Sequence, residues 1–473
     1  MNLSVSVLNS FPQVDEKAVD ELLEAEIAQN RKKIVVLDDD PTGVQTVHDI
    51  SVITGWDPQL LEEAFREEKS LFYILTNSRG LTAAQTSEIH HQIAANVDEA
   101  ARRTGKQYLF ISRSDSTLRG HYPLETTILK EEYSQRNHLE IDGEILCPFF
   151  KEGGRFTIDD VHYVRYGDEL VNAADTEFAR DKTFGYRALS MPEYIEEKTG
   201  GAYKKEDVVC ISLDDLRALN YEKIENQLLQ VKDFNKIIVN AIDYVDVKIF
   251  CVALYRAMAK GKMFMLRTAA GIVKVMGGIS DKELLRRKDM IVKENPHGGI
   301  IVAGSHTNKT TAQLKELEKL DNLKFIELDA TLVKDEPRFA AEVERCLKEE
   351  NDLLEQGINV CCYTSRKLIT ADSSDREDDL KLAVRISEAV QQLVGRLKVE
   401  PAFIIAKGGI TSSDIGIKAL KVRKANVLGQ IRPGIPVWQT GPESLFPKVP
   451  YVIFPGNVGD DTTLREAVEI LSE

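Results

Sequence analysis

An excess of basic charge is missing from this sequence: 61 Lys and Arg stand against 76 Asp and Glu, a formal net charge of −15 at pH 7. That balance disfavours non-specific attraction to nucleic acid or to anionic membrane surfaces, and neither is expected as a partner. An anionic small molecule would have to be held by a few local Arg, Lys or backbone N–H groups, against the overall field. No run of about 18 apolar residues, the length that spans a bilayer, occurs anywhere. The first thirty residues carry acids and no long apolar core, so a cytoplasmic location is the expectation. Cysteines are few: Cys147, Cys210, Cys251, Cys346, Cys361 and Cys362, with no CxxC pair and no His at zinc-finger spacing. Most lie in apolar runs such as EILCPFF and NVCCY, where a thiol packs as a small hydrophobe and suits a reducing compartment. Walker A, GxGxxG, HExxH and GxSxG patterns are all missing. Those absences remove the P-loop, dinucleotide, zincin and serine-hydrolase readings. No set of metal ligands is read on the protein.

What is present is a repeated grammar. The 473 residues contain 43% hydrophobic and 29% charged residues, an ordinary globular balance in a chain long enough for two or three domains. KKIVVLDDDPTG, SLFYILTNSRG and KQYLFISRSDSTLRG are each a short apolar run that stops at a polar loop. Helical stretches intervene, as in residues 82–104. This alternation predicts an α/β fold of two domains, each with a largely parallel sheet flanked by helices. The expected division is an N-terminal helical extension over 1–30, a substrate-binding domain over 31–285 and a nucleotide-binding domain over 286–473. Ligands gather at the carboxyl ends of strands in such sheets, so the three polar loops predict one shared site.

The first loop sets Asp38, Asp39 and Asp40 side by side before Pro41–Thr42–Gly43. Adjacent carboxylates can accept hydrogen bonds from polyol hydroxyls, take a proton or hold Mg²⁺; the plain alternative is a solvated turn. The second loop offers Arg79 among small polar groups, a candidate for bidentate capture of a carboxylate. The third packs Arg113, Ser114, Asp115, Ser116 and Arg119 into seven residues, which can bind a polyhydroxylated acid or simply cap a helix. Gly153–Gly154–Arg155–Phe156–Thr157 reads as a glycine-bracketed turn without a preferred role. His90–His91, in a helical stretch, reads as surface. In the second half, Gly304–Ser305, Gly408–Gly409–Ile410–Thr411 and Pro455–Gly456–Asn457 lie in loops at the ends of apolar strands. Their glycines let backbone N–H groups approach an oxyanion.

Taken in order, VLDDDPTG, TNSRG, SRSDSTLRG, CPFF…GGRFTIDDVHYV, FMLRTAAG, IIVAGSHTNKT, AKGGITSSD, RPGIPVWQ and FPGNVGDD resemble the four-carbon acid sugar kinase family over roughly residues 33–470. The resemblance implies ATP-dependent phosphorylation of the terminal hydroxyl of a threonate, erythronate or 3-oxo-tetronate. ATP would enter as its Mg²⁺ complex, and a homodimer is an assembly that such a kinase could adopt. The implied substrate positions are Asp39, Asp40, Arg79, Arg113, Ser114, Asp115 and Ser116, with Asp39 or Asp115 catalytic. The implied nucleotide positions are Ser305, Gly408, Gly409, Ile410, Thr411 and Gly456. The sequence departs from the family pattern at Asp38, at Arg113 in place of Lys, at Ile410 in place of an acid, at Pro455 in place of Lys or Ser, and in its N-terminal extension. A non-catalytic sugar-acid sensor, or a metal-dependent lyase or hydrolase, is the alternative.

Overall fold

The computed structural model describes residues 2–304, 308–365, 376–456 and 458–473; of the side chains of 376–380 nothing is described. The chain folds into two units, Met1–Val47 with Gly55–Asp281 and His48–Thr54 with Lys282–Glu473. Both are α/β with mostly parallel sheets, as the strand–loop–helix grammar predicts.

The first unit is built on seven parallel strands in the order Val209–Ile211, Asn235–Val239, Gly143–Cys147, Phe264–Thr268, Gln107–Arg113, Lys32–Asp38 and Leu71–Leu75. Their sequences are nearly continuous apolar runs because helices cover both faces. Ile34, Val35 and Val36 are fully buried, each burial stabilising by roughly 1.5–3 kcal/mol. Register matters most for function. Leu75 pairs with Asp38, Asp38 with Arg113, Arg113 with Thr268 and Thr268 with Cys147. The strand ends therefore form one row, and their loops leave from one edge of the sheet. Helix Ala83–Thr104 starts at a reciprocal cap, with Thr82 and Gln85 bonding each other's backbone N–H. Helix Glu16–Gln29 of the N-terminal segment buries Val19 and Leu23. It is tied to helix Tyr244–Ala259 by Lys248 with Glu16 and Asp20 and by Arg256 with Glu26.

A second, antiparallel sheet is a departure from the expectation. Leu3–Ser4, Glu169–Asn172, Val161–Tyr166 and Arg155–Ile158 pair in that order. The stretch that reads as a glycine-bracketed turn is thus part of a hairpin. It reverses at Asp159 and Asp160, both at positive φ (48° and 62°), as a two-residue hairpin turn requires. Asp is among the few residues that tolerate that region.

In the second unit Pro450–Phe454, Ile404–Lys407, Ile300–Ala303, Asn359–Thr364 and Leu323–Leu328 run parallel in that order. Ile435–Thr440, Lys424–Arg432 and Ile50–Ile53 continue it antiparallel. Ile50–Ile53, early in the chain, thus pairs with a strand of the C-terminal unit. All six cysteines are free thiols. Among the described residues no helix is long and apolar enough to cross a membrane.

One buried acid makes this unit sensitive to pH. Glu350, on helix Glu336–Glu355, accepts a hydrogen bond from the Cys362 thiol at 2.5 Å, while its Oε2 has no partner among the described residues. Burial pushes its carboxyl up to about 8, the Cys362 bond opposing only in part. Because the folded value lies above the unfolded one, the fold keeps the full benefit of the protonated acid below about pH 4.5. It loses that benefit as pH rises toward 8, a change on the order of a few kcal/mol. Glu350→Gln, neutral throughout, is expected to flatten the fall in melting temperature between pH 4.5 and 8. An unchanged profile in thermal melts would show that Glu350 is not its source.

Candidate functional site

The row of strand ends gathers the three polar loops of the first unit into one cluster. Arg79 is its centre. Its Nε and Nη2 donate to the two oxygens of Asp39 at 3.1 and 2.6 Å, and its Nη1 donates to Asp40 at 3.3 Å and stands 3.9 Å from Asp115. Asn77, in the left-handed region at φ 53°, turns the chain so that Arg79 faces back over the first loop. Ser114 Oγ donates to Asp39 Oδ2 at 2.8 Å. Arg113 Nη1 donates to Asp38 at 3.0 Å beneath them, both side chains buried. Asp115 accepts from Arg119 Nε at 2.8 Å and from the Thr117 hydroxyl through one oxygen, leaving Oδ1 without a hydrogen bond among the described residues. Ser116 is buried, and its carbonyl accepts from His162 Nε2 at 2.7 Å.

The electrostatics separate three of the aspartates. Burial, reinforced by Asp39 and Asp40, pushes the Asp38 carboxyl up to about 7 although Arg113 opposes it. Burial would raise Asp115 too, but Arg79 and Arg119 outweigh it and hold that carboxyl well below the usual range. Asp40 is lowered in the same way: burial is outweighed by Arg79 together with hydrogen bonds from Thr42. Asp115 and Asp40 therefore stay ionised at neutral pH.

A second buried pair supports this cluster from behind. Arg267 Nη1 donates to Glu125 at 2.5 Å and to Ser112 at 3.0 Å, and Ser78 donates to the other Glu125 oxygen at 2.5 Å. His90 stands 3.9 Å from that carboxylate and donates to the Thr86 carbonyl, so it is buried rather than a surface residue. Gly120, at φ 125°, passes close by: a Cβ there would meet Arg267 Nη2 at 2.7 Å and Ser114 Oγ at 2.8 Å. The antiparallel sheet and the segment after it clasp the third loop. His162 holds the Ser116 carbonyl, Tyr186 that of Thr117 at 3.1 Å and Tyr194 that of Leu118 at 2.8 Å. Burial lowers the His162 ring to about 4, so it is neutral, with Nε2 the donor and Nδ1 accepting from Thr157 at 3.0 Å.

In the second unit, register aligns Ala303, Lys407 and Phe454 in a row. The turn after Lys407 needs glycine, since Gly408 sits at φ 109°. Gly409, Ile410 and Thr411 open the next short helix, and Ile410 is 76% exposed. Lys407 is fully buried and donates to the carbonyls of Pro455 and Gly456 at 2.8 and 3.0 Å. Burial, and then the charge of Lys309, pushes its ammonium down to about 7. Lys309 donates to the Gly459 carbonyl at 2.6 Å. The two lysines thus straddle the loop that contains Gly456, where the direction a Cβ would take is open space. Ser305 and Asn457 lie outside the described residues.

Two family models match the chain. The sugar-binding N-terminal domain matches residues 34–276, and the nucleotide-binding C-terminal domain matches residues 300–464. The chain belongs to the four-carbon acid sugar kinase family. No match was found among curated proteins. A Haemophilus influenzae protein of the DUF1537 family has a similar solved structure: TM-score 0.61 and 16% identity, over 92% of this chain and 100% of that one. So has a Salmonella typhimurium LT2 protein provisionally described as a tRNA synthase, with TM-score 0.67 and 14% identity over 92% and 98%. At these identities the likeness is one of fold.

Of the sequence-predicted positions in the sugar-binding domain, Asp39, Asp40, Arg79, Arg113, Ser114 and Asp115 meet in one bonded cluster, with Ser116 just below it. Sequence reasoning did not single out Arg267, Glu125, Lys309 or Lys407. A signal existed for two of them: Arg267 and Lys407 are lone cations at the ends of apolar strands, FMLRT and IIAK, where burial of a charge needs a reason.

Proposed function

We propose that this protein is a cytoplasmic, ATP-dependent kinase for the terminal hydroxyl of a four-carbon sugar acid of the threonate, erythronate or 3-oxo-tetronate type. The observation that carries the reading is the cluster of Asp39, Asp40 and Asp115 with Arg79, Arg113 and Arg119 at one row of strand ends in a sugar-binding domain. The same chain contains a nucleotide-binding domain. A carboxylate has about four acceptor sites. Asp39 uses three, for Arg79 twice and Ser114 once, which fixes its orientation and leaves one for a substrate hydroxyl. Asp115 offers its uncommitted Oδ1 to a second hydroxyl. Held ionised by two arginines, it is a strong acceptor and a weak base, suited to orienting a hydroxyl rather than removing its proton early. Phosphoryl transfer passes through a loose transition state, so positioning and charge neutralisation supply most of the catalysis.

On the nucleotide side, Gly408, Gly409, Ile410, Thr411 and Gly456 are the backbone positions that would face phosphate oxygens. Lys407 would fix the Pro455–Gly456 loop in place. Mg²⁺ would neutralise phosphate charge. That ion would enter with the nucleotide, as its Mg²⁺ complex. The deciding experiment is ADP release from Mg·ATP against a panel of four-carbon sugar acids. Acid-dependent turnover, on the order of 1–100 per second, is expected with at least one of them. Binding of acid and ATP without ADP release would make the protein a non-catalytic sensor.

A further inference from the structure

Arg79 and Arg113 face the cluster's own aspartates, which leaves the substrate's carboxylate to a guanidinium farther out. All three nitrogens of Arg79 face Asp39, Asp40 or Asp115. Arg113 is buried against Asp38. Neither guanidinium presents an open fork to an incoming anion: Arg79 is taken up by three aspartates, and Arg113, although its Nε has no partner among the described residues, is buried beneath them.

Two others do. Arg119 gives Asp115 only its Nε; Nη1 stands 4.0 Å from Asp181, and neither terminal nitrogen makes a hydrogen bond among the described residues. Arg155, in the hairpin strand Arg155–Ile158, donates Nη1 to the Gly153 carbonyl, and its Nε is buried without a partner among the described residues. Among the described residues no carboxylate lies within ion-pair distance of Arg155. The two guanidiniums share one support: Arg119 lies 4.9 Å and Arg155 5.7 Å from the centroid of the Phe178 ring. Burial lowers the Arg155 guanidinium, with Asp115 opposing and Arg119 reinforcing that shift, so all three groups feel one another. Two cations share one ring, and Asp115 and Asp181 engage Arg119 only at its Nε and, at 4.0 Å, its Nη1, so hydrogen-bonding capacity remains on both guanidiniums beside the hydroxyl-binding aspartate. A planar fork is the group best shaped to take a carboxylate through two parallel hydrogen bonds.

We propose that Arg119 and Arg155, supported by Phe178, form the clamp for the carboxylate of the sugar acid. The anion end of the ligand then sits next to Asp115, its hydroxyl acceptor, so the ligand class is a polyhydroxy monocarboxylate. This deepens the kinase reading and rests on it, but binding tests it without turnover.

Calorimetric titration of threonate and erythronate, and of their neutral carboxamides, into wild type and Arg155→Met is the test. Wild type should prefer acid over carboxamide by roughly 10–100-fold, the range for a charge-assisted fork. In Arg155→Met that ratio should fall toward one, with ATP affinity and melting temperature unchanged, and Arg155→Lys should recover part of it. If Arg155→Met does not fold, Arg119→Met is read by the same ratio. An unchanged ratio, an equal loss of acid and carboxamide, or a wild type that binds neither acid overturns the clamp. Acid binding with the expected ratio but no ADP release leaves the clamp standing and removes the kinase reading.

Discussion

Asp39→Asn is expected to lower acid-dependent turnover by roughly 10²–10⁴-fold, the span for losing a positioned group that orients or deprotonates a nucleophile. The KM for ATP should stay where it was. The amide keeps the shape of the carboxylate, but one of its two ends becomes a donor facing Arg79 or Ser114. The bidentate contact at 3.1 and 2.6 Å and the Ser114 bond cannot then all be kept. Arg79 retains Asp40 at 3.3 Å and the nearby Asp115, so the variant should fold. Asp39→Ala would leave more buried charge unmatched and should also melt earlier. Steady-state kinetics of Asp39→Asn beside wild type, with circular dichroism to confirm the fold, make the check. Turnover within a few-fold of wild type would remove Asp39 from the chemistry.

The largest expected effect on stability is at Arg267. Arg267→Met leaves the Glu125 carboxylate buried with the Ser78 hydroxyl and the His90 ring as its neighbours. In the wild type burial lowers the His90 ring, with the Glu125 charge opposing and Arg267 reinforcing. Breaking one side of a buried pair costs about 3–5 kcal/mol, because the uncompensated charge remains in a poor solvent. In a unit of this size that is roughly 5–9 °C in melting temperature. Arg267→Met with Glu125→Gln should recover much of the loss, since the second change removes the charge that the first one stranded. Melting of the two single variants and the double variant measures the coupling. A drop below about 1 °C for Arg267→Met would mean that water or another group solvates Glu125, and that the pair is not buried as described.

Legibility in the sequence tracks the range of the interactions. The central strands of both sheets are readable because each must be apolar along its whole length to be covered on both faces. Polar residues are thereby driven to strand ends, and DDDPTG, TNSRG and SRSDSTLRG announce themselves. Ile50–Ile53 is not readable as part of the C-terminal unit. Four residues hold no information about a partner strand at 424–432, a pairing that only the folded chain sets. The hairpin around Asp159 and Asp160 hides in the sequence because two short strands flanked by glycines look like irregular chain. Arg155, sitting in that hairpin, is inconspicuous for the same reason.

The sequence by itself determined the α/β class, the positions of the strand-end loops and the residue types within them. These come from local rules: apolar runs seek burial, while aspartates, glycines and prolines end strands. Only the tertiary structure decided the pairing of charges. It set Arg79 on Asp39 and Asp40, sank Arg113 against Asp38, placed Arg267 on Glu125, and left Arg119 and Arg155 over Phe178. Charge pairing depends on distances of a few ångströms in a low-dielectric interior, and strand register and loop packing set those distances. No count or spacing along the chain encodes them.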